Sequence, residues 1–333
     1  MSRSQARHSH LISWASLLLT LACIGQAAND SEERIVGNEV ERKWSLVFAV
    51  GGAADTTFLD PLFVEVREDR VAVWDDGRRA LLLFDARGDL IWQFGREGPG
   101  PGEFARVRDI AFGSGGRLYV LDAGNGRLTG IADGRVVDRI PLGAATGMPE
   151  QMIVGDGSFR LLTYGTRPLV VIDRAGVVVA EGGLPHVGPD VHPLASQAVI
   201  AGTPDEWALA FVFGGGWIGF PAGEEARSYR RQIVDDPGFP EVELSGRHDA
   251  RLVSRGPIVV SISVDDGTAY VQRYDRAEEA GFIDRFTLVD GVYQGSWRLP
   301  PEASKAYDSS VSDRFIALLK ADPSPALLVY RRD

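Results

Sequence analysis

The chain has 333 residues, 44% hydrophobic and 24% charged, which is room for one large all-β domain or two average ones. Its formal net charge of −11 argues against a nucleic-acid partner, which selects for basic patches. A single cysteine excludes an internal disulfide, and five histidines leave little for a Cys/His metal centre.

Residues 1–28 read as an export signal. Arg3 and Arg7 give a positive start, residues 11–24 are apolar but short for a bilayer span, and small residues up to Ala28 offer a cleavage site. Cys23 offers a second route, lipidation after cleavage just before it, although Thr20 and Leu21 depart from the expected lipobox. The expected location is therefore periplasmic or extracellular, with a lipid anchor at Cys23 as the one route to a membrane. Residues 29–43 form a polar tether, and 44–333 form one domain.

The domain begins with an apolar strand at 44–50 that has no hairpin partner of its own. Short runs then follow in sets of four. The first set is 63–66, 71–74, 80–84 and 90–94. The second is 107–112, 118–121, 128–131 and 136–140, and the third is 151–154, 159–163, 169–172 and 177–181. Asp-Gly-type turns recur at 85–88, 133–134 and 173–176. A fourth set is weaker, at 198–200, 207–213, 217–220 and 228–233. Residues 235–247, with Pro237 and Pro240, read as a connection. The fifth set is 258–264, 268–274, 282–288 and 292–298. The sixth, 309–312, 315–320 and 326–330, is one strand short. Four short strands recurring every 40–50 residues, with almost no helical periodicity, predict a six-bladed β-propeller. The orphan strand 44–50 completes the last blade and closes the ring without long open edges.

The segment GREGPGPGEF at 95–104, with the later Gly116, Tyr119, Val120, Asp122, Asn125 and Arg127, resembles the NHL-type repeat, and exported bacterial six-bladed propellers in particular. The resemblance implies the fold more than a function, because one fold hosts many functions. It raises two readings. One is a binding or scaffold module for a protein, peptide or glycan, acting as a monomer. The other is an enzyme similar to calcium-dependent lactonase-like hydrolases or to amidating lyases, which would need Ca²⁺ or another divalent metal on the axis.

Candidate site residues follow from these readings. Arg96, Arg108, Arg127 and Arg167 lie at turns or strand starts of the first three blades and could meet an anionic group. Asp122 and Asn125 are of the type that binds calcium, but Asp-Gly and Asn-Gly turns explain them without a metal. His186, Asp190 and His192 are the one metal-like cluster. No nucleophile elbow, zincin motif or phosphate loop is present. The loops joining second to third strands and blade to blade fall on one face and hold most of these residues. Ligand binding is expected on that face.

Overall fold

The computed structural model describes residues 44–332, apart from 54, 165–166, 189, 224–227, 234–237, 246–248 and 254–257. The export segment with Cys23 and the polar tether lie outside the described residues.

Six four-stranded antiparallel sheets form the blades. Blade one runs Pro61–Arg67, Arg70–Asp75, Ala80–Asp85, Leu90–Phe94, from the inner strand outward. The inner strands of blades two to six are Val107–Phe112, Met148–Val154, Ala198–Gly202, Ile258–Asp265 and Asp308–Val311. Each inner strand packs against the next around a ring, and blade six returns to blade one. Blade six is completed by Trp44–Gly51, which pairs antiparallel with Ala326–Arg332. The predicted closure and the six-bladed fold are both observed.

The apolar patterning follows from this geometry. A middle strand of a blade is covered on both faces, so it reads as a continuous apolar run rather than an alternation. In blade one the two-residue period sorts Val71, Val73, Leu82 and Phe84 toward blade six. It sends Ala72, Trp74, Leu81 and Leu83 toward blade two. Six such inter-blade clusters make up the core. Outer strands face solvent on one side and are accordingly more polar and more exposed, as in Leu90–Phe94.

Two pieces differ from the sequence expectation. The connection at 235–247 contains the first half of a hairpin, Glu241–Ser245 paired with Asp249–Val253. Segment 95–104 is not a bare turn. Arg96–Glu97 and Glu103–Phe104 pair in parallel, which folds the Gly-Pro run between them into a compact loop. Gly95 is needed there because its φ is +121° and a Cβ would sit 2.6 Å from the Arg79 carbonyl oxygen.

Candidate functional site

Four inner strands carry a β-bulge near their start, just before Phe63, Asp109, Gln151 and Ser261. A bulge re-aims the side chain that follows it. All four of these residues line one axial cavity of about 1030 Å³, together with residues of all six inner strands. Several of the polar side chains also stitch neighbouring blades. Asp308 accepts from Val64 N at 2.8 Å, and Asp109 accepts from Met152 N at 2.7 Å. Gln151 accepts from Ile200 N at 2.7 Å, and the Ser263 hydroxyl accepts from Val311 N at 3.0 Å. Ser310 accepts from Val66 N and donates to Glu65 Oε2 at 3.2 Å. In blade one the residue after the bulge is Phe63, which offers no acceptor.

Below the mouth, three carboxyls among the described residues line the cavity wall: Glu65, Asp109 and Asp308 on the inner strands of blades one, two and six. Burial is the main cause of their perturbation. It pushes Glu65 up to about 8, helped by the neighbouring Asp308 carboxylate and opposed by Ser310 and Arg67. Burial pushes Asp308 up to about 7 against the hydrogen bond from Val64. Asp109 is pushed well above the ordinary carboxylate range, by burial first and then by Glu65 and Asp308.

The cavity opens toward the turns that join the first and second strands of each blade. Its mouth carries Glu68, Ser114, Asp156, Asp205, Asp265, Asp266 and Asp313, with Arg67 as the one lining base among the described residues. Arg67 is tied to the Gly113 carbonyl at 2.8 Å. This is the face opposite to the one on which the loop composition placed a ligand.

The six residues expected to bind a ligand hold loops and strands in place. Asp122 is fully buried and accepts from Ala105 N, Arg106 N, Asn125 N and Asn125 Nδ2 at 2.7–3.2 Å. Asn125 also donates to the Gly98 carbonyl at 2.9 Å. Arg127 donates to the Pro99, Gly100 and Glu103 carbonyls at 2.7–2.9 Å, and Arg96 pairs with Glu103 at 2.7 Å. These four residues converge on the 95–104 loop as a clamp. Arg108 pairs with Glu150 of the next blade at 2.6 Å, and Arg167 pairs with Glu181.

His186, Asp190 and His192 do not form a metal centre. His186 Nε2 meets Ser228, and His192 Nδ1 accepts from Leu194 N. Among the described residues no three His, Cys, Asp or Glu side chains are placed to hold a metal ion. The residues that sequence reasoning missed are Glu65, Asp109 and Asp308. Their signal was a carboxylate inside an apolar inner strand, as in FVEVR and VRDIAF, where such a group is rarely buried without a reason.

A family model described as a 6-bladed beta-propeller, DUF5128, matches residues 55–129. No curated protein matches in sequence. Among solved structures, a member of the DUF4221 family from Bacteroides vulgatus aligns with a TM-score of 0.57 and 10% identity, covering 87% of this chain and 97% of its own. A protein from Bacteroides fragilis described as exported aligns with a TM-score of 0.55 and 10% identity, covering 90% and 98%. Virginiamycin B lyase from Staphylococcus aureus aligns with a TM-score of 0.51 and 13% identity, covering 87% and 100%. At these identities the shared property is the fold. The chain is a six-bladed β-propeller. No helix among the described residues is long and apolar enough to cross a membrane.

Proposed function

We propose that the chain is an exported ligand-binding module whose site is the axial cavity. The observation that carries this reading is the cavity itself. About 1030 Å³ is enclosed by six inner strands and lined by carboxyls, hydroxyls and an amide, with Phe63, Val199 and Val264 as apolar walls. Ligand sites combine an apolar wall with a few convergent polar groups in this way, at volumes of roughly 300–1,000 Å³. Export is supported by the basic-then-apolar start at residues 1–28, and anchoring through Cys23 is the lipidated version of the same reading. The GREGPGPGEF segment supports kinship with exported NHL-type propellers.

The test is a thermal-shift ligand screen on the purified exported chain and on the variant Ser114→Trp/Thr203→Trp. Both residues lie exposed at the cavity mouth, so the variant is expected to narrow the entrance and keep the fold, which circular dichroism checks, at the loss of the Thr203 hydroxyl's bond from Glu206 N. Ligands that stabilise the native chain and lose that effect in the variant support the cavity. Ligands that stabilise both proteins equally refute it.

A further inference from the structure

The axial cavity has groups that the fold does not use. Asp308, Asp109, Gln151 and Ser263 each cap a backbone N–H of the neighbouring blade, but Glu65 caps none. Its Oε2 accepts from Ser310, and its Oε1 has no donor among the described residues. The Ser263 hydroxyl is more than nine-tenths buried in the lining, and its own proton has no acceptor among the described residues. A half-buried carboxyl oxygen and a buried hydroxyl, both facing one cavity, are open positions for a ligand.

The charge around these positions is mostly negative. Glu68, Asp156, Asp205, Asp265, Asp266 and Asp313 ring the mouth, and among the described residues Arg67 is the one base in the lining. A cleft of one sign with low-dielectric walls focuses the field and concentrates counter-ions of the opposite sign. Resting on the reading of the cavity as the ligand site, we propose that it takes an organic cation. An ammonium or guanidinium group on a flexible chain would sit on Glu65, with an acceptor atom of the same molecule facing Ser263.

Proton linkage gives this ligand class a signature. The groups facing Glu65 are Asp308 and Ser310 from blade six, Asp109 from blade two and Arg67 on its own strand. Tyr307 and the Val64 backbone face Asp308. With Glu65 near 8 and Asp308 near 7, both are largely protonated at pH 6. A cation favours their ionised forms, so binding expels protons and tightens as pH rises. Coupling to Asp308 alone gives about a tenfold rise in affinity from pH 6 to pH 8, and coupling to Glu65 adds to it.

The experiment is titration calorimetry of the purified exported chain with spermine in one arm and a lysine-rich hexapeptide in the other, at pH 6 and pH 8, at fixed salt. The expected result is binding at least tenfold tighter at pH 8, with proton release in buffers of different ionisation enthalpy. The preferred arm identifies whether a free polyamine or a basic peptide is the source. Glu65→Gln should remove the Glu65 share of the pH dependence, leaving about the tenfold rise carried by Asp308, and weaken binding at pH 8 tenfold or more. Circular dichroism and melting should show that this variant is folded. Absence of binding in both arms overturns the proposal. So does binding that is equal at pH 6 and pH 8 and indifferent to Glu65→Gln, since that is association with the acidic surface. If neutral ligands lose their effect in Ser114→Trp/Thr203→Trp while neither cation binds, the cavity remains the site and this inference alone fails.

Discussion

Replacing Asp122 by alanine removes one side chain that organises a large part of blade two. Asp122 is fully buried and accepts four hydrogen bonds, from Ala105 N, Arg106 N, Asn125 N and Asn125 Nδ2. A buried donor left unsatisfied costs about 1–3 kcal/mol, and bonds to a charged acceptor sit at the upper end. Water reaches part of this loop and relieves some of the loss, because Arg106 is exposed beside it. Two to three effectively orphaned donors then give a loss of about 3–6 kcal/mol, a large share of the roughly 5–15 kcal/mol that holds a domain together. Asp122→Asn keeps the shape and one acceptor oxygen but turns an N–H toward Ala105 N or Arg106 N, so it should lose about half as much. Urea unfolding followed by tryptophan fluorescence measures both variants. A loss below about 1 kcal/mol for the alanine variant, with unchanged slope, would refute the account of Asp122 as the organiser of this turn.

Three other outcomes follow from the same coordinates. Arg127→Ala should leave the 98–103 amides less protected in hydrogen exchange and lower stability by about 1–3 kcal/mol, because the Pro99 carbonyl loses its donor and the Gly100 and Glu103 carbonyls each lose one of two. Unchanged exchange would mean that the clamp is idle. Deleting residues 44–51 should expose the edge of Ala326–Arg332 and the core against which Phe48 and Val50 pack, costing several kcal/mol at roughly 1.5–3 kcal/mol per large apolar side chain. A preserved melting temperature would count against ring closure. Stability should fall as pH rises from about 4.5 to about 8, the window between the ordinary and the folded value of Glu65. The sign follows because the unfolded chain releases the proton first while the folded one retains it. The ceiling is about 5 kcal/mol, reduced by the partial exposure of the group, and Glu65→Gln should flatten the slope.

The fold was legible because propeller burial leaves a plain trace. Runs such as Leu81–Phe84 and Leu118–Leu121 are apolar without alternation since both faces meet a neighbouring blade. The orphan strand was legible by counting, because the sixth set had three strands and the chain began with one to spare. The hairpin Glu241–Ser245/Asp249–Val253 was missed although EVELS alternates, because Pro237 and Pro240 just before it read as a connection. Arg127 and Asp122 could not be assigned from sequence, since an Arg in a turn reads the same whether it meets a ligand or the carbonyl groups of a Gly-Pro loop.

The choice of face shows what ring closure adds to the sequence. Each first turn, such as Glu68-Asp69, Asp156-Gly157 or Asp265-Asp266-Gly267, is explained locally by turn chemistry, and none stands out alone. Closing the ring brings the first turns of all six blades to one mouth, where five of them set a carboxylate over the cavity and blade two sets Ser114. The arginines concentrated at the opposite loops are largely neutralised by partners close in space: Arg79 by Asp76, Arg96 by Glu103, Arg108 by Glu150 and Arg167 by Glu181. The mouth side also carries ion pairs, such as Arg87 with Asp85 and Arg174 with Asp138, but among the described residues lining the cavity itself carboxylates outnumber bases. Glu65, Asp109 and Asp308 lie beneath that mouth, where burial first and then their mutual repulsion raise Glu65 and Asp109, so a cation bound among them would favour the ionised forms that burial disfavours.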